Sequence, residues 1–200
     1  MKKVFKQIML VAALSTITAS VSAQNWKIDG AHSKIRFTTK YLLISDTDGE
    51  FKNFDGTVTA SKADFSDLKA DVKVEVNSIS TDNDMRDGHL KSDDFFNSEK
   101  FPSITFKSTD IKSLGNKKYM LSGELTIRDV TKKVTLPLVY GGTVTDPYGN
   151  VKAGFKATGS INRQDYNLKW SKSAASGEAV VSDNVDFTID MIIIKDEPKK

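Results

Sequence analysis

The feature that most constrains this chain is a period of two in its apolar residues, which recurs from one end to the other. Ile35 and Phe37 alternate with Lys34 and Arg36, and Leu68, Ala70, Val72, Val74 and Val76 alternate with Lys69, Asp71, Lys73 and Glu75. The pattern returns at Tyr119, Leu121, Gly123, Leu125 and Ile127, and at Val134, Leu136, Leu138 and Tyr140. It closes at Val185, Phe187, Ile189, Met191 and Ile193. Side chains on a strand point to opposite faces in turn, so each run predicts a strand with one dry and one wet face. Less regular segments at 49–54, 56–60, 104–109 and 151–161 bring the expected count to eight or more.

Turn signals fall between the runs: Asp48-Gly49, Asp55-Gly56, Gly115-Asn116, Gly141-Gly142, and the Asp146–Asn150 stretch around Pro147 and Gly149. Many one-sided strands joined by short turns must cover their apolar face, as a sandwich or a closed barrel. Closure also removes the exposed edges that invite aggregation. The expected fold is all-β, an antiparallel barrel of about eight strands. Residues 80–101 break the period. Ser92 followed by Asp93 and Asp94 reads as a helix N-cap with acids in the first turn, and Met85, His89 and Leu90 have helical spacing. One or two short helices are expected here, capping the barrel mouth with Phe95, Phe96 and Phe101 packed down into it.

The amino-terminal residues read as an export leader. Lys2, Lys3 and Lys6 precede the short apolar run Ile8–Leu14, and Val21-Ser22-Ala23 offers a cleavage site. The run is too short to span a bilayer as a helix, which takes about 20 residues. Residues 1–23 are therefore expected to be a signal peptide, 24–194 one domain, and 195–200 a charged tail. Removing three leader lysines from 29 basic residues leaves 26, equal to the 26 acidic ones. A nucleic-acid binder carries a clustered basic face, and here Lys alternates with Asp and Glu throughout. The chain has no cysteine, which excludes thiol catalysis, thiolate metal sites and a lipid-anchored cysteine.

Catalytic signatures are missing from the sequence. Its two histidines sit in neither an HExxH nor a His-x-His arrangement, too sparse a set for zinc. Asp82, Asp84 and Asp93 hint at a calcium loop, but Arg86 and Asp87 stand where a ligand and a glycine are needed. No nucleophile elbow, Walker loop or dinucleotide fingerprint is present. The sharpest polar cluster is Arg86, Asp87 and His89. One reading places Arg86 and His89 at a phosphate or quinone oxygen, since guanidinium suits phosphate. The other has Arg86 and Asp87 pair with neighbours and fix the capping segment. His32 beside Ser33 reads as a strand-start hydrogen-bonding position.

Trp26-Lys27-Ile28-Asp29 with His32-Ser33 resembles the opening of the YceI family of bacterial periplasmic polyisoprenoid-binding proteins. The resemblance continues through Arg86-Asp87, His89-Leu90, Ser92, Asp94-Phe95-Phe96 and Lys100-Phe101-Pro102, then Ile104 and Phe106. Gly123, Leu125-Thr126-Ile127, Val130-Thr131-Lys132, Gly154-Phe155, Ile161-Asn162-Arg163 with Asp165, and Val181–Val185 extend it over nearly all of the chain after the leader. It implies an extended lipocalin-like barrel that holds a polyprenyl phosphate or quinone inside, periplasmic location, often a homodimer, and no established catalysis or resident cofactor. The chain departs from the family at Tyr41, where many members carry His. Asp129 and Asn167 stand in place of usual glycines and Tyr166 in place of a usual Phe.

The candidate ligand contacts are Phe37, Tyr41, Phe51, Met85, Arg86, His89, Leu90, Phe95, Phe96, Phe101, Phe106, Ile127, Phe155 and Phe187. For each phenylalanine ordinary core packing is the competing account. Two functional readings stand open: a non-catalytic carrier or store for an isoprenoid lipid, and a solid-cored envelope protein that binds a protein or polymer partner through surface loops. A hydrolase or isomerase acting on an apolar substrate is the third.

Overall fold

A computed structural model describes residues 23–196. The expected leader, apart from Ala23, and residues 197–200 lie outside the described residues. Eleven strands form one sheet: β1 (Gln24–Ile28), β2 (Lys34–Tyr41), β3 (Ser45–Phe51), β4 (Phe54–Ala60), β5 (Lys69–Glu75), β6 (Ile79–Ser80), β7 (Ser103–Gly115), β8 (Lys118–Ile127), β9 (Val130–Thr145), β10 (Val151–Asn162) and β11 (Val181–Lys195). A single α-helix among the described residues, α1 (Asp84–Lys91), follows β6, and short 3-10 turns occupy Val76–Ser78 and Arg163–Tyr166.

The register reduces these strands to eight staves. β1 and β2 both run antiparallel to β11, with Ile28 opposite Ile193 and Ile35 opposite Ile189, so they are one stave interrupted at residues 29–33. β3 lies beside β2 and β4 beside β1, and in turn β6 lies beside β3 and β5 beside β4. β7 to β11 then follow as simple neighbours, and the pairing of β11 with β1 and β2 closes an eight-stranded antiparallel barrel. The all-β barrel expected from the alternation is the observed architecture.

Several turn signals fell inside strands. Asp48-Gly49 lies in β3, Asp55-Gly56 in β4 and Gly141-Gly142 in β9. The chain turns instead at 42–44 and breaks at Lys52-Asn53, where Lys52 N–H donates to the Ser78 carbonyl and Glu75 N–H to that of Asn53. The helix expected to start at Ser92 ends there. Asn83 is the N-cap, its side chain accepting from Arg86 N–H, and the Ser92 N–H and hydroxyl both donate to the His89 carbonyl. The acids that follow Ser92 stand in turns rather than in a helix. β11 also runs through Lys195, which pairs with Trp26, so the sheet extends into the first residue expected for the tail.

One end of the barrel is filled. The loop 61–68 folds across it and inserts Phe65, whose ring lies 5.2 Å from Trp26, 5.2 Å from Tyr140 and 5.1 Å from Phe155. Asp67 accepts from the Ser61 and Lys62 N–H groups, which fixes the loop ends. Nearby, Asp29 is buried and takes Lys152 Nζ at 3.0 Å and His32 Nδ1 at 2.8 Å, and Lys152 also reaches Asp146 at 3.4 Å. Burial pushes the Asp29 carboxyl up, but the bonds from Lys152 and His32 outweigh it and hold it below the ordinary range. The Asn150 side chain is the first cause that lowers Asp146, to about 2.

Both carboxylates are thus more acidic folded than unfolded. Their contribution is complete above the unfolded value near pH 4 and is lost as pH falls below it, for Asp146 toward about 2. Thermal melts from pH 7 to pH 2 check this: Lys152→Met is expected to lower the melting temperature at pH 7, with the gap to the native chain closing below about pH 3. A constant gap across that range contradicts the assignment.

Candidate functional site

Between the plugged end and the α1 end the barrel is hollow. The inward residues of the staves enclose a cavity of about 260 Å³ whose exposed surface is apolar throughout. Ile35, Phe37 and Thr39 of β2 line one wall, with Val72 and Val74 of β5, Ile104 and Phe106 of β7, and Leu125 and Ile127 of β8 opposite. Val134 and Leu136 of β9, Phe155 and Ala157 of β10, and Val185, Phe187, Ile189 and Met191 of β11 complete the circle. These positions are the dry faces of the sequence alternation. Phe37, Phe187, Ile189 and Met191 face inward yet are only partly buried, because each presents surface to the cavity.

Glycine sets the bore at one level. Gly159, Phe187, Phe37 and Gly49 are successive cross-strand partners on β10, β11, β2 and β3. The two neighbouring rings splay apart, each over the glycine on its far side. A Cβ built on Gly49 would stand 2.3 Å from Phe37 Cζ, and one on Gly159 would stand 2.3 Å from Phe187 Cζ. Any larger residue would drive the rings off the wall.

At the α1 end Leu90, Phe95 and Phe96 enter the cavity lining. Phe95 also packs against Trp170 at 5.4 Å and edge-on to His89 at 5.0 Å. Two arginines tie this cap down. Arg163 is 3 % exposed, and its guanidinium donates to the carbonyls of Leu168 (2.6 Å), Trp170 (2.7 Å) and Ser182 (3.0 Å) and to Asp183 (2.8 Å). Arg128 Nη1 donates to the carbonyls of Asp93, Phe95 and Asn167. Neither was among the sequence candidates. A buried arginine that satisfies backbone carbonyls leaves no periodic signal, and only the Ile161-Asn162-Arg163 segment hinted at it.

The structure brings nine of the fourteen sequence candidates to the cavity: Phe37, Phe51, Leu90, Phe95, Phe96, Phe106, Ile127, Phe155 and Phe187. The other five lie elsewhere. Met85 is 87 % exposed, because the helix register points it to solvent. Arg86 donates through Nε and Nη2 to the Thr81 hydroxyl and carbonyl, and Asp87 accepts from the Thr81 N–H and hydroxyl, so this pair fixes the capping segment. His89 bonds Asp94 at 2.8 Å outside the lumen. Phe101 lies under Lys100 and Arg128. Tyr41 continues the lumen-facing row of β2 past Thr39 to the rim, half exposed opposite Val181.

Asn167 and Asp129 meet beside the cap. Asn167 adopts φ 61°, a left-handed conformation that favours glycine and tolerates Asn, and its amide donates to Asp129 at 3.1 Å. This bond is the first cause that lowers the Asp129 carboxyl.

The family model for the YceI-like domain matches residues 26–193, almost the whole of the barrel. The chain belongs to the YceI family. Among its relatives, the UPF0312 protein plu2095 of Photorhabdus laumondii is 39% identical over 173 residues, covering 86% of this chain and 90% of that protein. The crystal structure of the Campylobacter jejuni YceI protein superposes with a TM-score of 0.69 at 31% identity, over 79% of this chain and 90% of that one. A polyisoprenoid binding domain from Saccharophagus degradans, at 16% identity, shares the fold with a TM-score of 0.66, over 86% of this chain and 98% of that one.

Proposed function

We propose that this YceI-family barrel holds the chain of an isoprenoid-like amphiphile, a polyprenyl phosphate or a quinone, as a carrier or store that leaves its cargo chemically unchanged. The observation that carries the reading is the apolar cavity of about 260 Å³. Unfilled apolar volume costs about 24 cal/mol per Å³, or about 6 kcal/mol here. That is comparable with the whole stability of a domain, roughly 5–15 kcal/mol. A wall that holds back its own rings over glycines is built around an occupant. Of the lining residues among those described, only Arg36, Thr39 and Arg163 are polar; Arg36 pairs with Asp190 and Arg163 is held by backbone carbonyls, so the wall offers affinity for a chain and no paired acid, base and nucleophile. Each buried methylene-sized group contributes about 0.8 kcal/mol, so two or three isoprene units support micromolar binding or better after the cost of association. The leader-like residues 1–23 and the family's usual compartment favour a periplasmic setting.

Native mass spectrometry of the exported protein, with organic extraction of what travels with it, tests the reading. A discrete added mass that extracts as an isoprenoid is expected. A bare polypeptide mass, unchanged after incubation with polyprenyl lipids and quinones, overturns it in favour of an envelope protein that binds a protein or polymer partner through surface loops. Because the Arg86 guanidinium is engaged by Thr81, neutral and phosphorylated isoprenoids of equal length are expected to bind within about ten-fold of each other, a difference of 1.4 kcal/mol. A larger preference for the phosphate, lost in Arg86→Gln, restores the headgroup role.

A further inference from the structure

The hairpin between β2 and β3 turns on residues that disfavour turning. Ile44 N–H donates to the Tyr41 carbonyl at 3.1 Å, and the two central residues, Leu42 and Leu43, adopt φ 50° and 61°. Two left-handed central residues make the mirror-image turn that hairpins fill with Asn-Gly or Asp-Gly, because bulky side chains resist positive φ. The same chain follows that preference at the first position of the turn between β7 and β8, at the opposite end of the barrel, where Asn116 (φ 50°) precedes Lys117 (φ 61°). At 42–44 it carries Leu-Leu-Ile instead. Leu42 is partly buried, but Leu43 is 54 % exposed and Ile44 83 %, so packing within the molecule repays little of the strain at the tip. Backbone strain that local packing does not explain points to a function at that spot.

Its place in the fold says which one. Leu42 N–H donates to the Val180 carbonyl at 2.9 Å, and the next residue, Val181, lines the cavity. The apolar tip therefore stands on the rim of the lumen, one residue beyond Tyr41. Exposed Leu114, Val144 and Tyr148 near the other end, and Met85 on α1, each lack a second exposed large apolar residue next to them in sequence and need no such account. The geometry points to the Leu42–Ile44 tip as the element that dips into a lipid bilayer surface, so that the mouth of the barrel meets the membrane where its cargo resides. This rests on the reading of the cavity as a lipid site.

A bilayer fits better than a protein. A stable protein interface takes about 20–30 residues a side, and a three-residue convex tip supplies far fewer. The charges at the base of the tip, Lys40 and Asp46, pair at 2.6 Å and cancel, so docking depends on apolar insertion rather than on anionic lipid. Moving one exposed Leu or Ile side chain into an apolar phase is worth about ten-fold or more in partition, so the tip gives reversible docking and no permanent anchor.

The test is a variant that should be a better hairpin and a worse membrane binder: Leu42→Asn, Leu43→Gly and Ile44→Thr together. The exported protein is expected to float with phosphatidylcholine vesicles, to the same extent at 0.1 and 0.5 M salt. The triple variant should partition at least about ten-fold less, melt no lower than the native chain, and carry the same mass of co-purified lipid. Absence of flotation by the native protein, or equal flotation by the variant, overturns the proposal. So does binding that needs phosphatidylglycerol and fades with salt, or a change in oligomeric state in the variant, which would assign the tip to a second copy. Co-purified lipid is read separately, so failure of the docking idea and failure of the cavity reading give different results.

Discussion

Valine at positions 49 and 159 together is expected to clear the barrel of lipid while the barrel still folds. Each new Cβ would lie 2.3 Å from a phenylalanine Cζ, and its three nearest atoms all belong to that ring, so the side chain rather than a strand is what must move. Phe37 and Phe187 must swing off the wall, and the direction open to them is the lumen. There they occupy volume the cargo needs. Overpacking of this kind costs about 1–3 kcal/mol, here charged against the bound state, so lipid affinity should fall about ten- to hundred-fold. The delipidated protein should melt within about 5 °C of the native one, since the rings take up volume that is otherwise unfilled. The contrast lies at Gly56 and Gly123, where an added Cβ meets the Asp71 carbonyl oxygen at 2.3 Å and the Lys107 carbonyl oxygen at 2.6 Å. Substitution there collides with backbone and should lower stability itself. Organic extraction and thermal melts of the four single variants and the 49/159 double separate these cases. A folded double variant with native lipid content would refute the role given to the two glycines.

The glycines illustrate what the sequence could and could not convey. Period two was legible because a one-residue slip flips every side chain, so burial keeps the pattern strict along β5, β8, β9 and β11. The inward phenylalanines were legible for the same reason. Phe37, Phe106, Phe155 and Phe187 sit at alternating positions and reach the cavity. Met85 and His89 stand off the cavity because helical spacing gives a periodicity without its phase, and Arg86 because Thr81 takes up its guanidinium, one of the two readings the sequence left open. The helix starts at Asp84, capped by Asn83, earlier than the Ser92-Asp93-Asp94 capping signal allowed, and its register turns Met85 outward. Glycine was read as a turn signal at 49, 56 and 142, yet each of these positions lies within a strand. Gly49 gives way to an aromatic ring and Gly56 to a neighbouring carbonyl. A strand glycine that admits a cross-strand ring looks the same, in one sequence, as a glycine that turns the chain. The real turn at 42–44 carried no turn signal at all.

Arg163→Ala is expected to be the most damaging single change at the mouth, lowering stability by about 3 kcal/mol. The residue contributes little through charge alone, because its ionic partner Asp183 is half exposed and solvent screens that pair. Its weight lies in the three carbonyls of Leu168, Trp170 and Ser182, which it satisfies from a buried position that water cannot readily replace. Asp183→Asn should therefore cost under about 1 kcal/mol. Arg163→Lys should recover less than half of the loss, since an ammonium lacks the planar fork that reaches three carbonyls at once. For a chain of this size 3 kcal/mol corresponds to roughly 6–12 °C in melting temperature. Denaturant unfolding of the three variants checks the order, and equal losses for Asp183→Asn and Arg163→Ala would return the weight to the ion pair. The same bonds anchor the segment that carries Leu168 and Trp170, and Leu168 lines the cavity while Trp170 backs Phe95. Loosening that segment at a temperature where Arg163→Ala is still folded should speed lipid exchange with acceptor vesicles more than it reduces lipid content. An unchanged exchange rate would mean that cargo leaves past α1 or the Leu42–Ile44 rim instead.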